Sequence, residues 1–313
     1  IKIWVVIGIL IVAVAVIAGL FEFERSELGK PTVTGITQDL GEFTATKSEI
    51  LTSVVMKNPN PVPIPLESIE ADVFMNGIKI GEISSVGKTE IEASQESILR
   101  LSTKIDNHKI QDWWVSHIKN GERTNVRVRG NLIFDLGLTK HEYPIEFESS
   151  LKTDILSDSF LASEGIEGRS AASALLTVMD ADSRFGAVTA EETEIITTVI
   201  LSNEGDIPIL LAGYDYEIVM NGMKLGEGKV ATNDMLAPDS AVTISLITPL
   251  QNDKISDWWV SHMKNGERTE LKLKIQPVVE VKGKRYEYTL IEEETEFTTS
   301  ILSGLSEDLC LFS

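Results

Sequence analysis

The sequence predicts a mainly β protein in which two tandem antiparallel β-sandwiches, each with one short α-helix, follow one long N-terminal transmembrane α-helix. Three observations lead to this fold class. The first 25 residues are almost entirely apolar, a long segment recurs at a constant offset, and each copy alternates apolar and polar residues with period two. At 313 residues the chain has room for two ordinary domains.

The N-terminal segment, residues 1–25, has the composition of a membrane span. No charged residue occurs between Ile3 and Phe21, and about 20 apolar residues in helical form cross a bilayer core. A cleaved signal peptide is the alternative, although its apolar region is usually shorter. Lys2 precedes the uncharged apolar run and mostly acidic residues follow it. The expected topology is therefore single-pass, with the N-terminus inside and the bulk of the protein extracellular.

An internal repeat organises the rest of the chain. The stretch Asp112–Thr124 returns almost unchanged at Asp257–Thr269, an offset of 257 − 112 = 145 residues, and the same offset relates Asn58 to Asn203. A constant offset without large gaps is typical of duplicated units. The expected organisation is a transmembrane helix over 1–25, a first sandwich over 31–157, a linker over 158–175, a second sandwich over 176–303 and a C-terminal tail over 304–313.

Alternation of apolar and polar residues predicts the strands of both copies. Asn125–Phe134 and Glu270–Ile275 alternate with period two, as a strand with one buried face requires. Asn-Gly pairs beginning at Asn76 and Asn221 stand between such runs, and this dipeptide accepts the positive φ of a tight hairpin turn. About five to seven strands per copy, separated by turns, favour an immunoglobulin/fibronectin-like sandwich.

One stretch in each copy breaks the strand pattern and predicts the short helix. Residues at the helical spacing i, i+3, i+4 and i+7 form one stripe: Ile110, Trp113, Trp114 and His117. We expect Asn107, and Asn252 in the second copy, to cap the start of the helix. The Asn-Gly pairs at 120–121 and 265–266 are expected to end it, because glycine suits a left-handed C-cap.

The adjacent tryptophans of this helix allow two interpretations. Aromatic side chains at helical spacing usually pack in a core, here at one end of the sandwich. Neighbouring residues point about 100° apart on a helix, so the alternative is that part of each pair stays at the surface and contacts a partner or lipid. The candidate contact surface consists of Trp113, Trp114, Trp258 and Trp259.

The tripeptide Asn58-Pro59-Asn60 lies between an alternating strand and the first Asn-Gly hairpin. In this context the first copy resembles the WHy domain of the late-embryogenesis-abundant group 2 family, whose signature is Asn-Pro-Asn near the second strand. The resemblance implies a sandwich of about seven strands with one helix, stress protection without catalysis and, in many relatives, one N-terminal membrane anchor. Tandem copies behind such an anchor are similar to an archaeal and bacterial desiccation-related branch.

The same tripeptide also has a physical explanation. Proline holds the preceding residue extended, and asparagine side chains bond to nearby backbone in turns. We interpret Asn58, Pro59 and Asn60 as a structural turn, with a ligand site formed by the amides as the alternative. The second copy keeps Asn203 but has Glu and Gly in the next two positions, which puts any role of the complete tripeptide in doubt there.

Composition and motifs argue against several classes of function. The formal net charge of −20 disfavours nucleic-acid binding, which needs a basic face. The sequence contains neither a glycine-rich phosphate loop nor a zinc-type Cys/His set. His117 and His262 have no further donors at ligand spacing. We therefore expect a protein that is not an enzyme, with no catalytic residues, no metal and no cofactor.

The expected function is that of a membrane-anchored protein at the cell surface that protects against stress or desiccation, or that contacts client proteins or lipid. The main alternative is a structural subunit of an archaeal surface filament, envelope layer or membrane complex. In that case the chain self-assembles, and its N-terminal helix packs against other helices. A second alternative is lipid binding between the two sheets of a sandwich.

Overall fold

The computed structural model describes residues 31–87, 89–153, 176–287, 289 and 291–298. These residues form two compact units, one ending at Thr153 and the other following it. Both units are mainly β, with antiparallel sheets and one short α-helix each.

The first domain contains seven strands and the helix α1, Ile110–Lys119, which a single turn of 3-10 helix precedes. Its strands are β1 (Thr32–Phe43), β2 (Lys47–Lys57), β3 (Leu66–Met75), β4 (Ile78–Ser85), β5 (Glu96–Asp106), β6 (Arg123–Asp135) and β7 (Lys140–Lys152). Hydrogen bonds join them in the order β1-β2-β5-β4-β3-β6-β7.

Alternation along the strands decides which face of this sheet is buried. In β2, every second residue from Ser48 to Met56 is buried. The core unites Val54 of β2 with Ile69 and Val73 of β3, which lie in different halves of the strand order. The sheet therefore folds over on itself into a sandwich. Each large apolar side chain that is fully buried there stabilises the fold by about 1.5–3 kcal/mol.

The second domain repeats this plan in two separate sheets. Its strands are β8 (Thr177–Val188), β9 (Glu192–Asn203), β10 (Ile209–Met220), β11 (Met223–Leu236), β12 (Ser240–Gln251), β13 (Arg268–Val281), β14 (Lys284–Glu287) and β15 (Ile291–Thr298), and its helix α2 spans Ile255–Lys264. One sheet has the order β12-β9-β8, and the other has β11-β10-β13-β14 with β15 also paired to β13. The register of β9 with β12 matches that of β2 with β5: Glu192 faces Gln251 as Lys47 faces Asp106.

The two domains differ in how β4 and β11 connect to the strand that follows them, β5 and β12. In the first domain, residues 81–84 of β4 pair with β5 as well as with β3, and this ladder joins the two halves of the strand order. In the second domain, β11 and β12 belong to different sheets. There Tyr214 donates its hydroxyl to the carbonyl of Ser245 at 2.9 Å, and Tyr216 donates to the carbonyl of Ile247. Side chains thus take the place of the backbone ladder.

At one facing pair of residues the two domains place the larger side chain on opposite strands. Ala71 and Ile83 face each other across β3 and β4, and both are buried. The residues 145 positions later are Tyr216 and Gly228, which also face each other. A Cβ atom on Gly228 would lie 2.0 Å from the hydroxyl oxygen of Tyr216. The tyrosine ring therefore requires glycine opposite it and fills the room that the isoleucine has in the first domain.

The predicted fold class is wrong in two respects. It requires a long transmembrane helix, whereas α1 and α2 have 10 residues each and no helix of the described residues is long and apolar enough to cross a membrane. A helix of this length extends about 15 Å, half of a bilayer core. Residues 1–25, over which the span is predicted, lie outside the described residues. Furthermore, an immunoglobulin-like sandwich has two separate sheets, whereas β4 joins all strands of the first domain in one path.

Candidate functional site

The helix of each domain begins at a buried asparagine. Asn107 accepts from the hydroxyl of Ser48 at 2.7 Å, and its side-chain amide donates to the carbonyl of Thr44 at 3.0 Å. It is therefore not the helix cap that the sequence predicts but an anchor to the β1–β2 connection, and Asp106 caps the 3-10 turn. The second domain repeats both anchoring bonds at 2.8 and 3.2 Å, through Asn252, Thr193 and Thr189.

The two tryptophans of each helix have different environments. Trp114 is 4% exposed and Trp259 is 8% exposed. Trp113 and Trp258 are half-buried against the domain cores. Their indole nitrogens donate at 2.9 Å to hydroxyls on the strand that follows the helix: Trp113 to Thr124 and Trp258 to Thr269. The contact surface formed by the four tryptophans stays a prediction. Trp113 and Trp258 are the more exposed residues of the four.

A buried histidine connects helix α1 to two strand ends of the first domain. His117 is 1% exposed. Its Nδ1 lies 2.7 Å from the hydroxyl of Thr124, and its Nε2 lies 2.8 Å from the hydroxyl of Thr153. The hydroxyl of Thr153 lies 3.2 Å from a carboxylate oxygen of Glu122. One side chain of the helix is thus bonded to the start of β6 and to the residue that follows β7.

The bonding partners determine the tautomer of this histidine. A carboxylate only accepts hydrogen bonds, so Thr153 donates to Glu122 and accepts from Nε2–H of His117. An indole N–H only donates, so Thr124 accepts from Trp113 and directs its own hydrogen to Nδ1. Protonation of Nδ1 would leave that hydroxyl hydrogen without its acceptor, and the network therefore favours the neutral imidazole.

Burial lowers the pKa of both repeated histidines. Desolvation lowers the pKa of His117 from 6.5 to about 4. The same cause lowers the pKa of His262 to about 4, against a hydrogen bond with the backbone of Arg268 that favours the charged form. Both are therefore neutral at pH 7, far from the pKa near 7 that suits a general acid or base. Within the part of the chain that the structure describes, no group of three His, Cys, Asp or Glu residues is placed to hold a metal ion.

The Asn-Gly hairpins are fastened to the helices. Asn76 has φ of 50°, as expected for the tight turn, and its amide donates to the hydroxyl of Ser116 at 3.0 Å. Its side-chain oxygen accepts the backbone N–H of Asn125 at 2.8 Å. Asn221 makes the corresponding bonds at 3.0 and 2.9 Å with Ser261 and Glu270. The sequence predicts these hairpins, but not that they hold the helix in place.

The side chain of Asn58 holds the tripeptide loop of the first domain together. It is fully buried, and its amide donates to the carbonyl of Val62 at 2.9 Å while its oxygen accepts the backbone N–H of Asn60 at 3.0 Å. The carbonyl of Asn60 in turn accepts the backbone N–H of Ser94 at 2.8 Å. The loop between β2 and β3 is thereby connected to the loop before β5.

The second domain builds the same loop without the proline and the second asparagine. Asn203 donates to the carbonyl of Ile207 at 2.9 Å and to that of Leu236 at 3.1 Å. Its side-chain oxygen accepts the backbone N–H of Gly205 at 3.0 Å. The first asparagine is therefore the residue that this loop requires, because its side-chain bonds satisfy backbone groups that a turn leaves unpaired.

The threonines of the histidine network are the functional candidates that sequence reasoning missed. Thr124 and Thr269 are the last residues of the repeated stretch that contains the tryptophans, and each is 0% exposed. Both copies of the repeat have threonine at this position, near the start of a strand where a surface residue is expected. This identity is the sequence signal that could have identified the two threonines. Thr153 gave no such signal, because 36 residues separate it from His117.

Comparison with known proteins finds a matching family and similar proteins. Residues 53–148 match the family described as Late embryogenesis abundant protein. An uncharacterised protein of Methanocaldococcus jannaschii is 25% identical over 130 residues, which cover 40% of this chain and 71% of that protein.

Two solved structures also resemble part of the chain. The crystal structure of a protein from Archaeoglobus fulgidus is 33% identical and covers 40% of this chain and 100% of its own, with a TM-score of 0.37. A solution structure of a protein from Arabidopsis thaliana is 18% identical and covers 42% of this chain and 88% of its own, with a TM-score of 0.28.

Proposed function

We propose, from the match of residues 53–148 to the late embryogenesis abundant protein family, that this chain is a non-enzymatic protein that protects other molecules under stress such as desiccation. It acts by contact of its folded β-sandwiches with client proteins or with lipid at a membrane. The family match is the observation that carries the proposal, and the arrangement of polar groups and surface charge supports it.

The polar groups at the repeated sites support a structural use of those sites. The imidazole of His117 is bonded at both nitrogens inside the domain, and Asn58 and Asn203 use their amides to close loops. A catalytic group needs a free position from which to reach a substrate. These side chains instead fix the helix and the loops on the sandwich, which keeps the surface of the domain constant in shape.

The surface charge supports a role as a hydrated shield. The formal net charge is −20, and exposed strand positions carry ion pairs, such as Lys272 with Glu270 at 2.7 Å and with Glu294 at 3.2 Å. Exposed pairs of this kind add little stability. A large net charge, however, keeps chains soluble and separate by repulsion, and separation of client molecules is what prevents aggregation as water is lost.

The apolar sequence between Ile3 and Phe21 supports a location at a membrane, with the domains outside. Protease treatment of intact cells tests this location. Digestion of the domains without cell lysis is the expected result, and protection of the domains until lysis would contradict it.

Drying tests the protective function directly. A labile enzyme is dried and rehydrated with the full chain in detergent, and separately with a β-sandwich protein of similar size and charge in the same detergent. We expect more enzyme activity to be recovered with the full chain. Equal recovery with the two proteins would refute the proposal, since charge and size alone would then explain any effect.

One observation favours the alternative of a self-assembling structural subunit. Strand β1, Thr32–Phe43, is an end strand of its sheet path, and its 12 residues include only Asp39 and Glu42 as charged residues. Long end strands with few charges are surfaces on which another chain can pair. Electron microscopy of the solubilised protein distinguishes the two functions, because ordered polymers would support assembly and single particles would support the protective protein.

A further inference from the structure

At three positions the loop end of the first domain exposes apolar side chains where its duplicate does not, although the duplicate exposes Met235 at the corresponding end. Leu138 is 100% exposed, Leu136 is 51% exposed and Val62 is 47% exposed. We call these three residues the tip surface. At the positions 145 residues later, the second domain has Gly283, Val281 at 9% exposure, and Ile207 packed against its core. The second domain forms the corresponding turn, where Val281 faces Lys284, without exposed apolar side chains at these positions. Folding therefore does not require the exposed side chains, and a contact outside the domain remains as their use.

The loops that carry the tip surface are held in place by hydrogen bonds. The backbone N–H of Asp135 donates to the carbonyl of Pro65 at 2.9 Å, which joins the β6–β7 turn to the tripeptide loop. Within the turn, the N–H of Leu136 donates to the carbonyl of Thr139 at 3.0 Å. Val62 is held through its carbonyl by Asn58. The apolar side chains therefore project from an ordered platform, and little conformational entropy is lost when they are buried.

The strand registers show which end of the domain this is. Thr32, at the start of β1, faces Lys57, which directly precedes the tripeptide loop. The chain thus enters the domain at the end that carries the tip surface. Helix α1 follows β5 at the opposite end, where Arg123 faces Lys152 and the chain leaves the domain. The sequence that precedes the entry point is the uncharged apolar segment between Ile3 and Phe21.

We propose that the tip surface rests on the interface of a lipid bilayer with zwitterionic headgroups, an inference that depends on the membrane location proposed above. Apolar side chains at this end become buried at the boundary of headgroups and acyl chains. Glu67, Glu90 and Asp135 line the cleft between the same loops, and Lys140 pairs with Glu67. The formal net charge of −20 disfavours an anionic lipid surface, and a zwitterionic surface does not carry this penalty.

Site-specific fluorescence in vesicles tests this contact in the full chain. Cys310→Ser removes the only native cysteine, and a single cysteine is then introduced by Leu138→Cys or, as the matched control, by Lys119→Cys at the exposed end of α1. Each variant is labelled with an environment-sensitive dye and reconstituted in phosphatidylcholine vesicles that contain brominated acyl chains. We expect the label at position 138 to be quenched several-fold more than the label at position 119. Replacement of phosphatidylcholine by phosphatidylglycerol is expected to reduce this difference.

Three results would overturn the proposal. Equal quenching at the two positions would remove the contact, and stronger quenching in anionic than in zwitterionic vesicles would contradict the role of the carboxylates. A blue shift at position 138 that depends on protein concentration, without bromine quenching, would show that a second protein covers the surface. The drying experiment is independent of these results: failure there with quenching retained would reject the protective function and keep the lipid contact.

Discussion

Lowering the pH from 7 to 5 is expected to destabilise both domains through His117 and His262. In the folded state each has a pKa of about 4, compared with 6.5 for an unperturbed histidine. The unfolded chain therefore binds more protons than the folded chain once the pH falls below 6.5. Their contribution to stability is fully present above pH 6.5 and decreases down to about pH 4, below which it is constant.

The size of the effect follows from the same values. A pKa difference of about 2.5 corresponds to about 3 kcal/mol per histidine in the acid limit. At pH 5, where the unfolded histidine is almost fully protonated and the folded one is not, the loss is about 2 kcal/mol per domain. Since small domains have total stabilities of about 5–15 kcal/mol, this loss is large enough to measure.

Urea unfolding followed by circular dichroism at pH 7 and pH 5 measures it. Carboxylates also titrate in this range and change the repulsion within a chain of net charge −20, so the double variant His117→Gln and His262→Gln is the reference. Glutamine keeps one donor and one acceptor but does not titrate. We expect the native chain to lose about 2 kcal/mol per domain more than the variant between the two pH values. An equal loss in both chains would refute the assignment of buried, neutral histidines.

Three further predictions concern single contacts. Gly228→Ile is expected to destabilise the second domain by at least about 2 kcal/mol, since its Cβ would clash with Tyr216. Adding Tyr216→Ala is expected to recover part of that loss. Additive losses in a double-mutant cycle would show that the two side chains do not compete for the same space. Asn203→Ala is expected to lower the free energy of unfolding by about 2–3 kcal/mol, because it leaves buried carbonyls unpaired. Asn60→Ala is expected to lower it by less. Equal shifts of the urea midpoint would be inconsistent with the role of the first asparagine. Thr124→Val is expected to cost about 1–3 kcal/mol because it removes a partner of Trp113 and of the histidine, and an unchanged thermal midpoint would exclude the network.

Local patterns are sufficient to predict several strands and the short helix of each domain. Alternation predicts a strand because one face of the sandwich is buried, and β6 follows the pattern over Val126 and Val128. The stripe through Trp114 and His117 predicts a helix for the corresponding reason, and both side chains are buried as a stripe on the core side requires. These features depend on residues close in sequence, so they are visible without knowledge of the fold.

Features that depend on distant residues were not predictable in this way. The bond between His117 and Thr153 and the replacement of the β4–β5 ladder by Tyr216 depend on which strands become neighbours. Asn107 is an anchor instead of a cap because Ser48, 59 residues earlier, reaches it. The tip surface illustrates the same limit, since the sequence around Leu138 gives no indication that Val62 lies at the same end of the domain.

We infer that folded sandwiches, and not acidity or composition alone, protect other molecules. The variant Trp114→Ala with Trp259→Ala tests it most directly, because it keeps the net charge of −20 while removing a buried aromatic side chain from each domain, at a cost of about 3–5 kcal/mol each. Recovery of a dried enzyme is measured with the native chain and with this variant at a temperature where circular dichroism shows the variant to be unfolded. Protection by the native chain alone is expected, and equal protection by the unfolded variant would show that the fold is not required.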